Sequence, residues 1–261
     1  MATKTKAWIN LILFSITLGI NFLGATGQIN NLSQSDVSDK YHTLITPAGF
    51  TFSIWSVIYG LMLISILLMI VKHNERYYKE IIEATSIYLW VAFIANSLWI
   101  VSFSYLQICI STIFIFIYLF SLMFIIKQLH SLNDTKRWVF PLTFGIHAGW
   151  VFIASVVNIA AFLVQIEWNG FGLSDELWAI LIMIVAGLLA LFVLLQVKNA
   201  AFTLPIAWAF FGINQELQNT VQSTSLNILS LVLVAILSMA AIFLFIRNQY
   251  SISPINTRHP Y

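Results

Sequence analysis

The stretch Thr46-Pro47-Ala48-Gly49-Phe50-Thr51-Phe52-Ser53-Ile54-Trp55-Ser56-Val57-Ile58-Tyr59 stands where a polar loop runs into a long apolar segment. Pro47 suits the first turn of a helix, because the N–H it lacks would have no intrahelical partner there. Thr46 before it is of the N-capping type. Phe52, Trp55 and Tyr59 follow at spacings of three and four, which puts them on one helix face. The stripe has two readings. Trp and Tyr favour the headgroup level of a bilayer, so it can be an interfacial belt. It can also be one wall of a pocket for a flat apolar ligand. The choice depends on what the rest of the chain sets opposite it.

The chain has 261 residues, of which 60% are hydrophobic and 8% charged. Soluble domains carry about a quarter charged residues, so the composition is that of an all-α integral membrane protein in contact with the lipid bilayer. The longest polar gap, 26–46, leaves no room for a soluble domain of useful size. A net charge of +2 gives no ground for a nucleic-acid partner. The single Cys109 excludes an internal disulfide and a Cys-rich metal site.

A spanning helix needs about 20 apolar residues. Eight segments qualify as candidates: 7–25, 48–71, 85–105, 108–126, 138–164, 177–197, 199–215 and 226–246. Lys4 and Lys6 before the first also fit a signal peptide, but a retained helix is the preferred reading. With eight spans, eleven of the twelve Lys and Arg fall on one side and only Lys40 on the other. The positive-inside bias then puts both termini in the cytoplasm, with the cell membrane as the expected location. The seventh segment is the weak one. Ala200 to Ile213 would make only about 21 Å of helix, and it contains Pro205 and Gly212. A re-entrant segment is the alternative, and it would put the C-terminus outside. The tail from Asn248 to Tyr261 is polar and expected to be mobile.

No Asp, Glu, Lys or Arg stands at the middle of a proposed helix, which argues against proton pumps, voltage sensors and charge-coupled transporters. No P-loop, carboxylate pair or other catalytic motif is present, so no enzyme activity and no metal or required cofactor is expected. What remains is a set of indoles beside buried amides. Asn96, Trp99 and Phe103 share one helix face, as do His147, Trp150, Ala154 and Asn158. An intramembrane Asn most often bonds a neighbouring helix, and a lone His most often does the same. The repetition of Trp with Asn favours a binding role.

These residues resemble the TspO/MBR family of tryptophan-rich sensory proteins. In that family the second helix carries Trp eight and Tyr twelve residues after its entry Pro, as Pro47, Trp55 and Tyr59 do. The third carries Asn-x-x-Trp-x-x-x-Phe, matched by Asn96, Trp99 and Phe103. The fifth carries Trp-Val-x-x-Ala-x-x-x-Asn, matched by Trp150, Val151, Ala154 and Asn158. Leu44 and Thr46 replace the family's loop Trp and first Pro, and Ile146-His147 replaces a Pro-Tyr. The resemblance covers about residues 7 to 165 and does not extend to the last three helices. The implied organisation is a five-helix domain over 1–165, three further helices over 166–247 and a polar tail over 248–261. The resemblance implies a bundle that binds a porphyrin, haem or sterol-like molecule between its helices, in a sensing or transport role. The implied ligand site is Trp55, Tyr59, Asn96, Trp99, Phe103, His147, Trp150, Ala154 and Asn158. A homodimer is left open. A small-solute transporter built around a broken seventh helix is the competing reading. An enzyme of lipid or porphyrin chemistry is a third, and the lack of an acid/base pair weighs against it.

Overall fold

The computed structural model describes residues 1–132, 137–221 and 223–255. Among them there are nine α-helices and no strand: α1 Thr3–Ala25, α2 Gln34–Lys40, α3 Ile54–Val71, α4 Arg76–Ser104, α5 Ile108–Leu132, α6 Val139–Gln165, α7 Asp175–Val197, α8 Leu204–Thr220 and α9 Thr224–Arg247. Seven of the apolar stretches are long enough to cross a membrane; the 17 residues of α8 fall below that length. The protein is an all-α membrane bundle.

The helices begin and pack for local reasons. Ser33 Oγ accepts from Asp36 N at 3.1 Å while Asp36 Oδ2 accepts from Ser33 N at 2.7 Å, a reciprocal cap that starts α2. Ser174 and Ser223 cap α7 and α9 in the simpler way. On α1 the buried residues Ala7, Asn10, Phe14, Thr17, Asn21 and Gly24 form a single stripe that faces α4. Lipid tails are as apolar as the helices, so packing and polar side chains bind the helices together. Trp90 Nε1 donates to Asn10 Oδ1 at 2.7 Å, Asn10 Nδ2 donates to Ser86 Oγ at 3.1 Å, and Ser65 and Thr143 hydroxyls join α3 to α6 at 2.9 Å.

The bundle has two chemically distinct ends. At the lysine end Lys6 pairs with Glu83, Arg137 lies over the Tyr77 ring at 4.0 Å, Asn199 Nδ2 donates to Pro141 O, and Asn248 Nδ2 donates to Lys198 O. At the carboxylate end Gln165 Nε2 donates to Leu106 O, His42 Nε2 lies 3.4 Å from Glu216 Oε1, and Ser223 Oγ donates to Glu176 Oε1 at 2.6 Å. Following the helices between these contacts assigns nine of the ten described Lys and Arg to the first end and only Lys40 to the second. Lys136 and Arg258 lie outside the described residues.

One alternative is set aside and two expectations are corrected. The segment around Pro205 does not turn back on itself. Residues 199–203 form buried non-helical backbone beneath the lysine end, and α8 continues from there to the carboxylate end, where α9 begins. Irregular backbone is tolerated at that depth because the protein, not lipid, surrounds it. Asn199 Oδ1 accepts from Ala201 N at 3.0 Å and supplies one of its missing bonds. The helix is not broken either. Pro205 occupies its first turn, and α8 runs without interruption through Gly212. The first part of the tail is docked: Ala200 N donates to Ile252 O at 2.8 Å, and Ser251, Ile252 and Ser253 are buried. The last residues, 256–261, lie outside the described part.

The decisive stretch also differs locally. Gly49–Ser53 forms a turn of 3₁₀-helix before α3, and Thr46 Oγ1 accepts from Thr43 N at 2.9 Å instead of capping the helix. Ala48 N donates to Gly212 O at 3.2 Å and Trp208 Nε1 donates to Thr51 O at 2.9 Å, so α8 holds this turn in place.

Candidate functional site

Trp55 is the centre of an aromatic cluster contributed by three helices. Its ring stacks on Tyr59 at 5.3 Å and 15°, one turn further along α3. From α4, Trp99 approaches to 6.1 Å; from α6, Trp150 and His147 stand edge-on at 6.1 Å and 6.2 Å. Phe52 meets Trp150 edge-on at 6.2 Å and Phe103 lies 6.0 Å from Trp99. The three-and-four spacings on each helix produce this convergence, because each helix turns a single aromatic face inward.

A cavity of about 50 Å³ lies within the cluster. Of the residues singled out from sequence, Trp55, Trp99, Phe103, Trp150, Ala154 and Asn158 line it, as does Pro47. Tyr59, Asn96 and His147 do not line it. Tyr59 lies behind Trp55 in the stack, and Asn96 accepts a hydrogen bond from Asn21 Nδ2 of α1. His147 Nε2 is hydrogen-bonded to the Tyr118 hydroxyl of α5. His147 therefore joins helices; among the described residues no group of His, Cys, Asp and Glu is placed to hold a metal.

Asn158 is held by the protein itself. Its Oδ1 accepts from Trp99 Nε1 at 3.0 Å, and its Nδ2 donates to Thr112 Oγ1 at 2.7 Å and Ser111 Oγ at 3.2 Å. It fixes the Trp99 indole plane and joins α4, α5 and α6 at one point. Two N–H groups of the lining have no acceptor among the described residues: Trp150 Nε1, on a side chain only 3% exposed, and Gln34 Nε2. A buried donor without an acceptor carries the full cost of its lost hydration, about 1–3 kcal/mol.

Gln34 and Ser38 come from α2, which covers the cavity at the carboxylate end, and Ala209 comes from α8. The motif-based reading passed over all three. The first two were accessible in principle: Ser33-x-x-Asp36 is a capping signature, and residues four apart on the helix it starts share a face. Ala209 has no local signal; only the docking of α8 on the 3₁₀ turn brings it there.

The arrangement is a set of flat apolar walls with two free donors, the Ser38 hydroxyl, and no carboxylate or lysine among the lining residues. It suits the retention of a planar molecule that carries an acceptor. Comparison with curated proteins gives no match, and comparison with solved structures gives none. A family model described as TSPO-like protein matches residues 7–246, from the first turns of α1 to the last turn of α9. The match covers α7, α8 and α9 as well as the helices that carry the Trp and Asn motifs, and the chain belongs to the TSPO-like family.

Proposed function

We propose that this membrane protein binds a flat apolar ligand of the porphyrin or sterol kind among Trp55, Trp99 and Trp150. The ligand's acceptor oxygen would take the N–H of Trp150 and that of Gln34. The observation that carries the reading is this pair of buried donors without acceptors inside an aromatic cluster. In a bilayer the ligand is already out of water, so the hydrophobic gain largely disappears. Selectivity then rests on ring stacking and on those two hydrogen bonds.

The cavity of about 50 Å³ is far below the roughly 300–1,000 Å³ typical of ligand pockets. Binding on this reading requires the rings to part and α2 to lift, so entry is slow and gated. Such a site fits a sensor that changes shape when filled. The transporter alternative loses its specific support, because α8 is continuous where it needed a break.

The test is a titration with protoporphyrin IX, followed by quenching of tryptophan fluorescence in detergent. Wild type is expected to saturate. Trp150→Phe keeps the ring and removes the donor, and should weaken binding roughly fivefold, the scale of about 1 kcal/mol for one hydrogen bond. Quenching that does not saturate, or an unchanged midpoint in Trp150→Phe, would remove this site from the account.

A further inference from the structure

A second and larger cavity, 610 Å³, lies at the carboxylate end between α6 and α7, closed on one side by the loop His42–Ile45. It is distinct from the tryptophan cluster and within the size range of ligand pockets. Its chemistry changes with depth. Along α6 the lining runs Ala160, Leu163 and Val164, with Glu167 just beyond the helix end; along α7 it runs Ile182, Ala179, Trp178 and then Asp175. Seven residues of helix are about 10 Å, so on the α7 wall an apolar floor and an acidic mouth are separated by that distance, and the α6 side changes from apolar to acidic in the same order. Three rings stand at the mouth: Trp168 lies 4.9 Å from Trp178 and 5.2 Å from Phe171. Trp178 is fixed by donating Nε1 to Gly170 O at 2.6 Å. Glu216 nearby is engaged with His42, whereas neither Glu167 nor Asp175 has an ion pair among the described residues.

We propose that this cavity binds an amphiphile with an ammonium head and an apolar body. The head would sit against the faces of Trp168 and Trp178 with Glu167 and Asp175 beside it, and the body would lie along Leu163, Ala179 and Ile182. Indole faces attract cations, and two exposed carboxylates without ion pairs among the described residues give the mouth the same preference. An anionic head meets no Lys or Arg in the lining, and the one imidazole there, His42, is engaged with Glu216. The ammonium could belong to a free long-chain amine or to a choline headgroup of the bilayer.

The test uses the full-length protein in phosphatidylglycerol nanodiscs and a photoreactive long-chain primary amine, with crosslinks mapped by mass spectrometry. The N-acetylated analogue removes the charge at the same length. The amine is expected to label the α6 and α7 residues of the cavity, to be displaced by dodecylamine, and to label at least roughly fivefold more than the acetamide. Labelling should fall by a similar factor in Glu167→Gln/Asp175→Asn, which keeps the shape of both side chains. A photoreactive phosphatidylcholine serves as the second arm. If it labels the same residues, resists dodecylamine and loses labelling in the double variant, the ammonium is recognised on a bilayer lipid. Equal labelling by amine and acetamide in wild type overturns the proposal without relying on any variant, and so does full labelling in the double variant.

Discussion

Single residues decide how closely the helices approach. A Cβ on Gly149 would overlap the Phe202 carbonyl oxygen and lie 2.7 Å from Pro205 Cγ, so α6 accepts the buried backbone before α8 only because that side chain is absent. Backbone cannot move aside as a flexible side chain can. Gly149→Ala is expected to cost about 1–3 kcal/mol, the range for overpacking, and to lower the thermal midpoint in detergent. Gly60→Ala on α3 meets nothing within 4 Å and should leave the midpoint unchanged or raise it slightly. A smaller loss in Gly149→Ala than in Gly60→Ala would mean that α6 and the 199–203 segment are not in this contact. Residues also mark the limit of reading a site from sequence. That Trp55, Trp99 and Trp150 each share a helix face with other aromatic or amide residues was legible, because spacing along a helix fixes direction around it; spacing alone left open whether those faces meet lipid or a pocket. That Asn158 bonds Trp99, Ser111 and Thr112 was not legible, since those partners lie 46 to 59 positions away and no spacing relates them.

At the scale of elements, α2 and the 3₁₀ turn Gly49–Ser53 cover the tryptophan cluster, and on the proposed function they would control access to it. Both fall in or beside the polar gap, where apolar periodicity is silent, and the short helix was not anticipated. Its stability depends on the Ser33–Asp36 cap. The backbone N–H and then the hydroxyl of Ser33 hold the Asp36 carboxyl below its ordinary range. A carboxylate lowered in the folded state contributes stability that is present above its unfolded pKa and lost as pH falls through the folded value. Acidification into that range should loosen α2, and Asp36→Ala should loosen it at neutral pH. The expected readout is a faster association of protoporphyrin in stopped-flow quenching for Asp36→Ala, with the acid acceleration seen in wild type reduced in the variant. A rate that is the same in both proteins would show that α2 does not gate the cavity. Seven of the eight apolar segments were legible as spans, because a run of about 20 apolar residues has few other uses. Their ends were less so. α4 begins nine residues before the expected start at 85, and the segment that includes α8 needed 199–203 to complete its path. Interhelical packing, not hydropathy, sets those limits.

For the whole molecule, nine of the ten described Lys and Arg at one end is the feature that bears on orientation. Both described termini lie at the lysine end, and we propose from the positive-inside rule that this end faces the cytoplasm. In a Cys109→Ala background, cysteines at Thr5 and Gln249 should be shielded from an impermeant maleimide in intact cells, while those at Asp39 and Glu176 should react. All four positions are exposed on the bundle. The opposite pattern would invert the protein in the membrane, and a split between Thr5 and Gln249 would contradict the path of α8.

The central claim is that a flat ligand occupies the space among Trp55, Trp99 and Trp150, beneath α2. The most direct measurement is an experimental structure of the protein with protoporphyrin IX bound. The account predicts ring-shaped density between α3, α4 and α6, with the three indoles parted, α2 displaced outward, and a ligand oxygen within hydrogen-bond reach of Trp150 Nε1. Porphyrin density confined to the outer surface or to the α6–α7 cavity, with the indole cluster still closed, would contradict it.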